Sequence, residues 1–90
     1  MEKNEENNKL IAEFMGKTLI HPNDRKYHSS WEWLMPVVEK IEGLGNSTFV
    51  SGNYCEISTK TVIFNKLDDS KIKAAFYCII QFIQWYNTTK

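Results

Sequence analysis

Ninety residues carrying eleven basic and eleven acidic side chains predict one domain, residues 1–90, of zero formal charge. That balance argues against both a strongly basic nucleic-acid surface and an acidic nucleic-acid mimic, and a chain this short buries only a little over ~60% of its unfolded surface. The opening MEKNEENNK is polar and lacks the apolar centre of an export signal, and no apolar run is long enough to span a bilayer, so a soluble, cytoplasmic protein with no membrane contact is predicted.

Residues 2–15 read as a first helix, with residues 1–7 fraying. Glu5 and Glu6 sit where the helix dipole favours anions. Leu10, Ile11, Phe14 and Met15 form a narrow apolar seam, and Gly16 is a natural stop. Residues 17–28, KTLIHPNDRKYH, form a connection around the turn chemistry of Pro22-Asn23-Asp24. Leu19, Ile20 and Tyr27 pin it to the body. Its twelve residues approach the upper limit for an unstructured connection, which makes it a first place to look for binding.

A second helix opens at Ser29 or Ser30, where Ser29-Ser30-Trp31-Glu32 matches a capping box. Trp31, Leu34, Val38 and Ile41 share one face, widened by Val37 and Trp33. Pro36 removes a hydrogen bond to the Glu32 carbonyl, predicting a kink or a distinct first turn. Gly43 and Gly45 end the helix. The period then changes: 48–51, 54–57 and 61–65 are β-rich. Gly52-Asn53 is either a tight turn or a bulge within one long strand, and Ser58-Thr59-Lys60 is a second turn. Two or three antiparallel strands follow from such short connections.

The last stretch, Ser70–Asn87, organises the rest. On a helix its polar positions Lys73, Tyr77, Gln81 and Gln84 gather on one strip, and nearly everything else is apolar. An ordinary surface helix carries an apolar stripe a little over ~100° wide; this arc covers roughly twice that. The helix, capped by Asp68-Asp69-Ser70, must be enclosed by the remaining chain or by a second copy. The predicted fold is a two-layer α+β domain: two N-terminal helices, a two- or three-stranded antiparallel sheet, and a long, centrally packed C-terminal helix.

No residue pattern encodes a chemistry. His21, His28, Cys55 and Cys78 are metal-ligand types, but none lies at the short spacing that builds a zinc site; two loop histidines and two core thiols account for them. Cys78 lies on a face that must be buried and Cys55 within a strand, and buried thiols are inert. Glu32 and Glu39 lie on a solvated helix side. Neither catalytic residues nor a cofactor is predicted. Lys60, Lys66, Lys71 and Lys73 fall within fourteen residues and, with Tyr54 or Phe64 exposed between them, would contact single-stranded RNA; a solvated lysine fringe is the simpler reading, because Arg25 is the single arginine. The strongest feature is an apolar surplus in Trp31, Trp33, Trp85 and Tyr86. Trp and Tyr are frequent interface anchors, so Trp33 and Tyr86, with Tyr27 and Arg25 from the long connection, are the candidate partner-binding residues.

Asn8–Gly16, Tyr27–Ile41 (YHSSWEWLMPVVEKI) and Ala74–Asn87 (AAFYCIIQFIQWYN) together resemble a recurrent group of small accessory proteins from phages and prophages of Bacteroidetes-type bacteria. The resemblance covers about half the chain in the same order and supplies no catalytic residues. It implies an accessory phage protein, a class that includes inhibitors of host defence such as anti-CRISPR proteins. The expected partner is then a host protein or ribonucleoprotein, a CRISPR effector or its guide RNA. The alternatives are a small homodimeric RNA- or DNA-binding regulator working through the lysine fringe, and a phage structural or assembly component.

Overall fold

The C-terminal helix lies at the centre of the protein. The structure, a computed structural model, describes residues 2–16 and 27–89. The elements run α1 (Glu2–Phe14), α2 (Trp31–Gly43), β1 (Ser47–Ser51), β2 (Tyr54–Ser58), β3 (Ile63–Leu67) and α3 (Lys71–Thr89). The strands form one antiparallel sheet in the order β1-β2-β3. Helix α3 lies across the sheet, α2 packs between β1 and α3, and α1 packs on α3. This is the α+β fold expected, with three strands.

The wide apolar arc of α3 explains that arrangement. Phe76, Ile79, Phe82 and Ile83 are all buried, which leaves the Lys73–Tyr77–Gln81–Gln84 strip facing outward, with Lys73 and Gln84 exposed and Tyr77 and Gln81 half-buried. From the sheet, Cys55 and Ile57 of β2 meet this helix; from α2, Leu34, Val37 and Ile41 do; from α1, Ile11 and Ala12 complete the core. The Ser70 side chain caps the helix: its Oγ accepts from Lys73 N at 3.3 Å.

Local signals in the sequence were realised unevenly. Gly52-Asn53 is a two-residue turn joining separate strands, closed by the Ser51–Tyr54 pair. Gly52 takes φ 57° and Asn53 keeps a negative φ, the pattern of a hairpin turn with glycine first. The capping box does not form. The cap of α2 is Ser30, whose side chain makes no cap hydrogen bond, so Glu32 stands one position too early to complete the reciprocal pair. Strand β3 begins at Ile63, later than expected, because Thr59 closes a turn that reaches Val62: Thr59 N donates to the Val62 carbonyl at 2.8 Å, and Thr59 Oγ1 accepts from Val62 N at 2.8 Å. Helix α2 runs from Trp31 to Gly43 as one helix with Pro36 inside it. Most of the 17–28 connection, with Leu19, Ile20, His21 and Arg25, lies outside the described residues.

Candidate functional site

Alternation along three strands builds a surface on the side of the sheet opposite α3. With Cys55 and Ile57 turned inward, Tyr54, Glu56 and Ser58 must face outward. Register carries the same parity to the neighbours. Glu56 stands between Phe49 and Asn65, Tyr54 between Ser51 and Leu67, and Ser58 between Ser47 and Ile63. Phe49, Ile63 and Leu67 are 58%, 60% and 66% exposed. These three do not adjoin: Ile63 and Leu67 stand at the two ends of β3, and Phe49 lies across β2, with Glu56 and Asn65 between.

At the middle of this face sits one carboxylate held in place. The Tyr54 hydroxyl donates to Glu56 Oε1 at 2.7 Å, and Ser58 Oγ donates to Glu56 Oε2 at 3.3 Å. The Phe49 and Tyr54 rings lie 6.4 Å apart beside it. The Tyr54 phenol is pushed above its ordinary value of 10.0, first by the hydrogen bond it donates to Glu56, then by partial loss of solvent and by the carboxylate charge. A raised folded value favours the neutral phenol. This contribution to stability is therefore full below the unfolded value and is lost as pH rises through the folded one. Tyr54 is expected to ionise at higher pH than a free tyrosine, and Glu56→Gln should bring it back down. Ultraviolet titration of phenolate absorbance, with Tyr54→Phe to assign the transition, checks this; an unchanged titration in Glu56→Gln would contradict it.

The candidate residues named from sequence fall at other places. Trp33 is half-buried and meets Tyr27 edge-on at 5.4 Å. The two line a small pocket of about 170 Å³ with Met15, Glu32 and Pro36. Tyr27 itself is only 2% exposed, so it supports the Trp33 surface from beneath and presents no contact face of its own. Tyr86 is half-buried in a different corner, stacked on Phe82 at 5.8 Å and edge-on to Phe14 at 5.5 Å. Lys40 covers that corner, with Nζ 4.6 Å from the Phe14 ring centre and a hydrogen bond to the Phe14 carbonyl. Arg25 lies outside the described residues.

The four lysines do not share one surface. Lys60 is exposed in the β2–β3 turn. Lys66 points to the helix side of β3, over the Tyr77 ring at 5.9 Å and 3.9 Å from the Asp68 carboxylate. Lys71 borders an apolar groove of about 480 Å³ between α2 and β1, with Trp31, Met35 and Val50. Lys73 pairs with Asp69 at 3.9 Å. Phe64 is turned inward, 6.3 Å from Phe82 and 5.7 Å from Trp85, and Tyr54 lies on the opposite face of the sheet from Lys66. Neither Phe64 nor Tyr54 stands between these lysines; the ring beside Lys66 is Tyr77. A polar cleft of about 540 Å³ does open beside Lys66, lined by Asn7, Asp68, Tyr77, Gln81 and Gln84, and Gln81 Nε2 donates across its wall to the Asn65 carbonyl at 3.1 Å.

Cys55 and Cys78 are free thiols at 2% and 0% exposure. They face each other across the sheet–helix interface, and Cys78 Sγ donates to the Phe64 carbonyl at 3.5 Å. Contact with Cys55, then burial, pushes the Cys78 thiol up, far from the thiolate a nucleophile needs. Neither thiol is expected to react with an aromatic disulfide reagent in the native protein, and both should react once guanidinium unfolds it. Rapid native labelling would show that the sheet and α3 separate readily. His28 lies 2.9 Å from the amide of Asn8, a buried polar side chain that sequence reasoning passed over, and edge-on to Phe76 at 6.1 Å. Among the described residues no three His, Cys, Asp or Glu side chains come together as a metal ion would need, and no helix is long and apolar enough to cross a membrane.

Comparison of the chain with family models, with curated proteins and with solved structures finds no match.

Proposed function

We propose that the protein is a non-enzymatic interaction module that works by stoichiometric binding, with the outer face of its sheet as the docking surface. The observation that carries this reading is the exposure of Phe49, Ile63 and Leu67, at 58–66%, on one regular face of a folded domain, set around the polar pair Glu56 and Asn65. The buried apolar face of α3 is already covered by side chains from α1, α2 and β2, so these three are surplus to folding. Covering them releases water from apolar surface at about 25 cal/mol per Å², and a short, rigid sheet pays little ordering entropy to do it.

The partner class follows from the resemblance of the Tyr27–Ile41 and Ala74–Asn87 segments to accessory phage proteins: a bacterial defence complex, of the CRISPR-effector kind, inhibited by occlusion of a protein surface. The carboxylate at the centre of the face favours a protein surface over the guide RNA. Tagged full-length protein expressed in a host carrying an active defence system is expected to retain a defence component and to raise phage plaque counts. Retention of none, with plaque counts unchanged, overturns the defence assignment.

A further inference from the structure

Building on the interaction-module reading, we propose that the outer sheet face takes a basic, apolar-flanked segment of a different protein chain, with an arginine of that segment seated on Glu56. Three observations select this occupant. Glu56 is the central residue of the face, placed there by β2 as the middle strand and by its register with Phe49 and Asn65. Its two oxygens each accept one hydrogen bond from within the sheet, from Tyr54 and Ser58. A carboxylate offers about four lone-pair sites, so one on each oxygen is left for a donor from outside. And the outward strand positions include no lysine or arginine, so the counter-charge has to arrive with the partner.

The surroundings sharpen the choice. Phe49 stands directly across from the carboxylate and Ile63 and Leu67 lie diagonal to it, with Tyr54 beside it, while Asn65, Ser58, Ser47 and Ser51 supply the polar remainder of the face. Covered by a partner, the apolar groups would exclude water from the carboxylate, and a guanidinium is the cation that suits such a site: it is planar, forked to match two oxygens, and weakly hydrated. The same geometry argues against the other occupants. A second copy docked about a two-fold axis at the centre of the face would press one Glu56 against the other. A nucleic acid would bring phosphates toward a fixed anion with no cation beside it. The face is built for opposite charge amid apolar contact.

The test uses full-length protein and two synthetic amphipathic helical peptides of identical leucine–alanine sequence, one with a central arginine and one with citrulline, which keeps the shape and removes the charge. Amide NMR shifts locate binding, and titration gives the affinities. The arginine peptide is expected to shift the amides of Phe49, Glu56 and Leu67 and to bind about tenfold or more tightly than the citrulline peptide. Glu56→Gln should erase that difference while leaving the remaining spectrum in place. Equal binding of both peptides at this face would overturn the arginine assignment and leave the interaction-module reading standing. Binding of neither at this face would overturn both.

Discussion

Replacing Phe82 by alanine is expected to lower the midpoint of thermal unfolding by at least about 12 °C. Phe82 is fully buried and touches four other rings: Phe14 at 6.1 Å, Phe64 at 6.3 Å, Trp85 at 5.9 Å and Tyr86 at 5.8 Å. Those rings come from α1, β3 and α3, so one side chain joins three elements. Truncation of a buried phenylalanine costs about 3–5 kcal/mol, against a total stability of roughly 5–13 kcal/mol for a chain of this length. Each kcal/mol shifts the midpoint of a domain this size by about 4–8 °C. Phe82→Leu should cost less, because it keeps most of the volume and forfeits mainly the ring-on-ring geometry, about 0.5–1.5 kcal/mol per pair. Calorimetry of the two variants decides it. A loss below about 5 °C for Phe82→Ala would mean that the aromatic cluster is not what ties α1 and the sheet to α3.

That α3 would be enclosed was legible in the sequence because it follows from one strong signal, although the place of Phe64 and Tyr86 in its aromatic cluster was not. A helix whose circumference is mostly apolar has few structural solutions, and the burial of Phe76, Ile79 and Ile83 is the solution found. Signals carried by two or three residues were less secure. Ser29-Ser30-Trp31-Glu32 is a capping sequence in either of two registers, and only tertiary packing of Trp31 and Leu34 fixes Ser30 as the cap. The start of β3 depends on whether Thr59 spends its hydroxyl in the turn, which it does. Pattern alone cannot report such a choice.

The exposed outer face of the sheet was within reach of the sequence and was overlooked for a physical reason. Aromatic surplus drew attention to the tryptophans, the largest side chains, but large rings on amphipathic helices are the ones a small core recruits first: Trp85 packs on Phe64 and Phe82, and Trp33 on Tyr27. The informative signal was parity. Once Cys55 and Ile57 are taken as the inward pair of β2, Tyr54, Glu56 and Ser58 face outward, and Phe49 joins the serines that flank it at Ser47 and Ser51. Ile63 and Leu67 follow through β3. Phe64, two residues from neither, goes inward with the opposite parity.

If the outer sheet face is the docking surface we propose, a double substitution on the sheet should separate folding from binding. Phe49→Ser combined with Leu67→Ser is expected to cost clearly less thermal stability than Phe82→Ala and to weaken association with whatever partner the wild-type protein retains by about 30- to 700-fold. Both side chains are already mostly in water, so their removal takes little from the folded state beyond strand propensity, a scale that spans about 1 kcal/mol. In a complex the same groups would be covered. Full burial of a leucine or phenylalanine contributes about 1.5–3 kcal/mol, and the exposed part of two such side chains about 2–4 kcal/mol in all, at 1.4 kcal/mol per tenfold in affinity. Met35→Ser supplies the control. Met35 is 43% exposed and lines the groove between α2 and β1, so its loss removes comparable apolar surface from the other side of the molecule and should leave affinity unchanged. If the sheet variant binds as wild type does and Met35→Ser does not, the docking surface is the groove and the outer sheet face has no part in recognition.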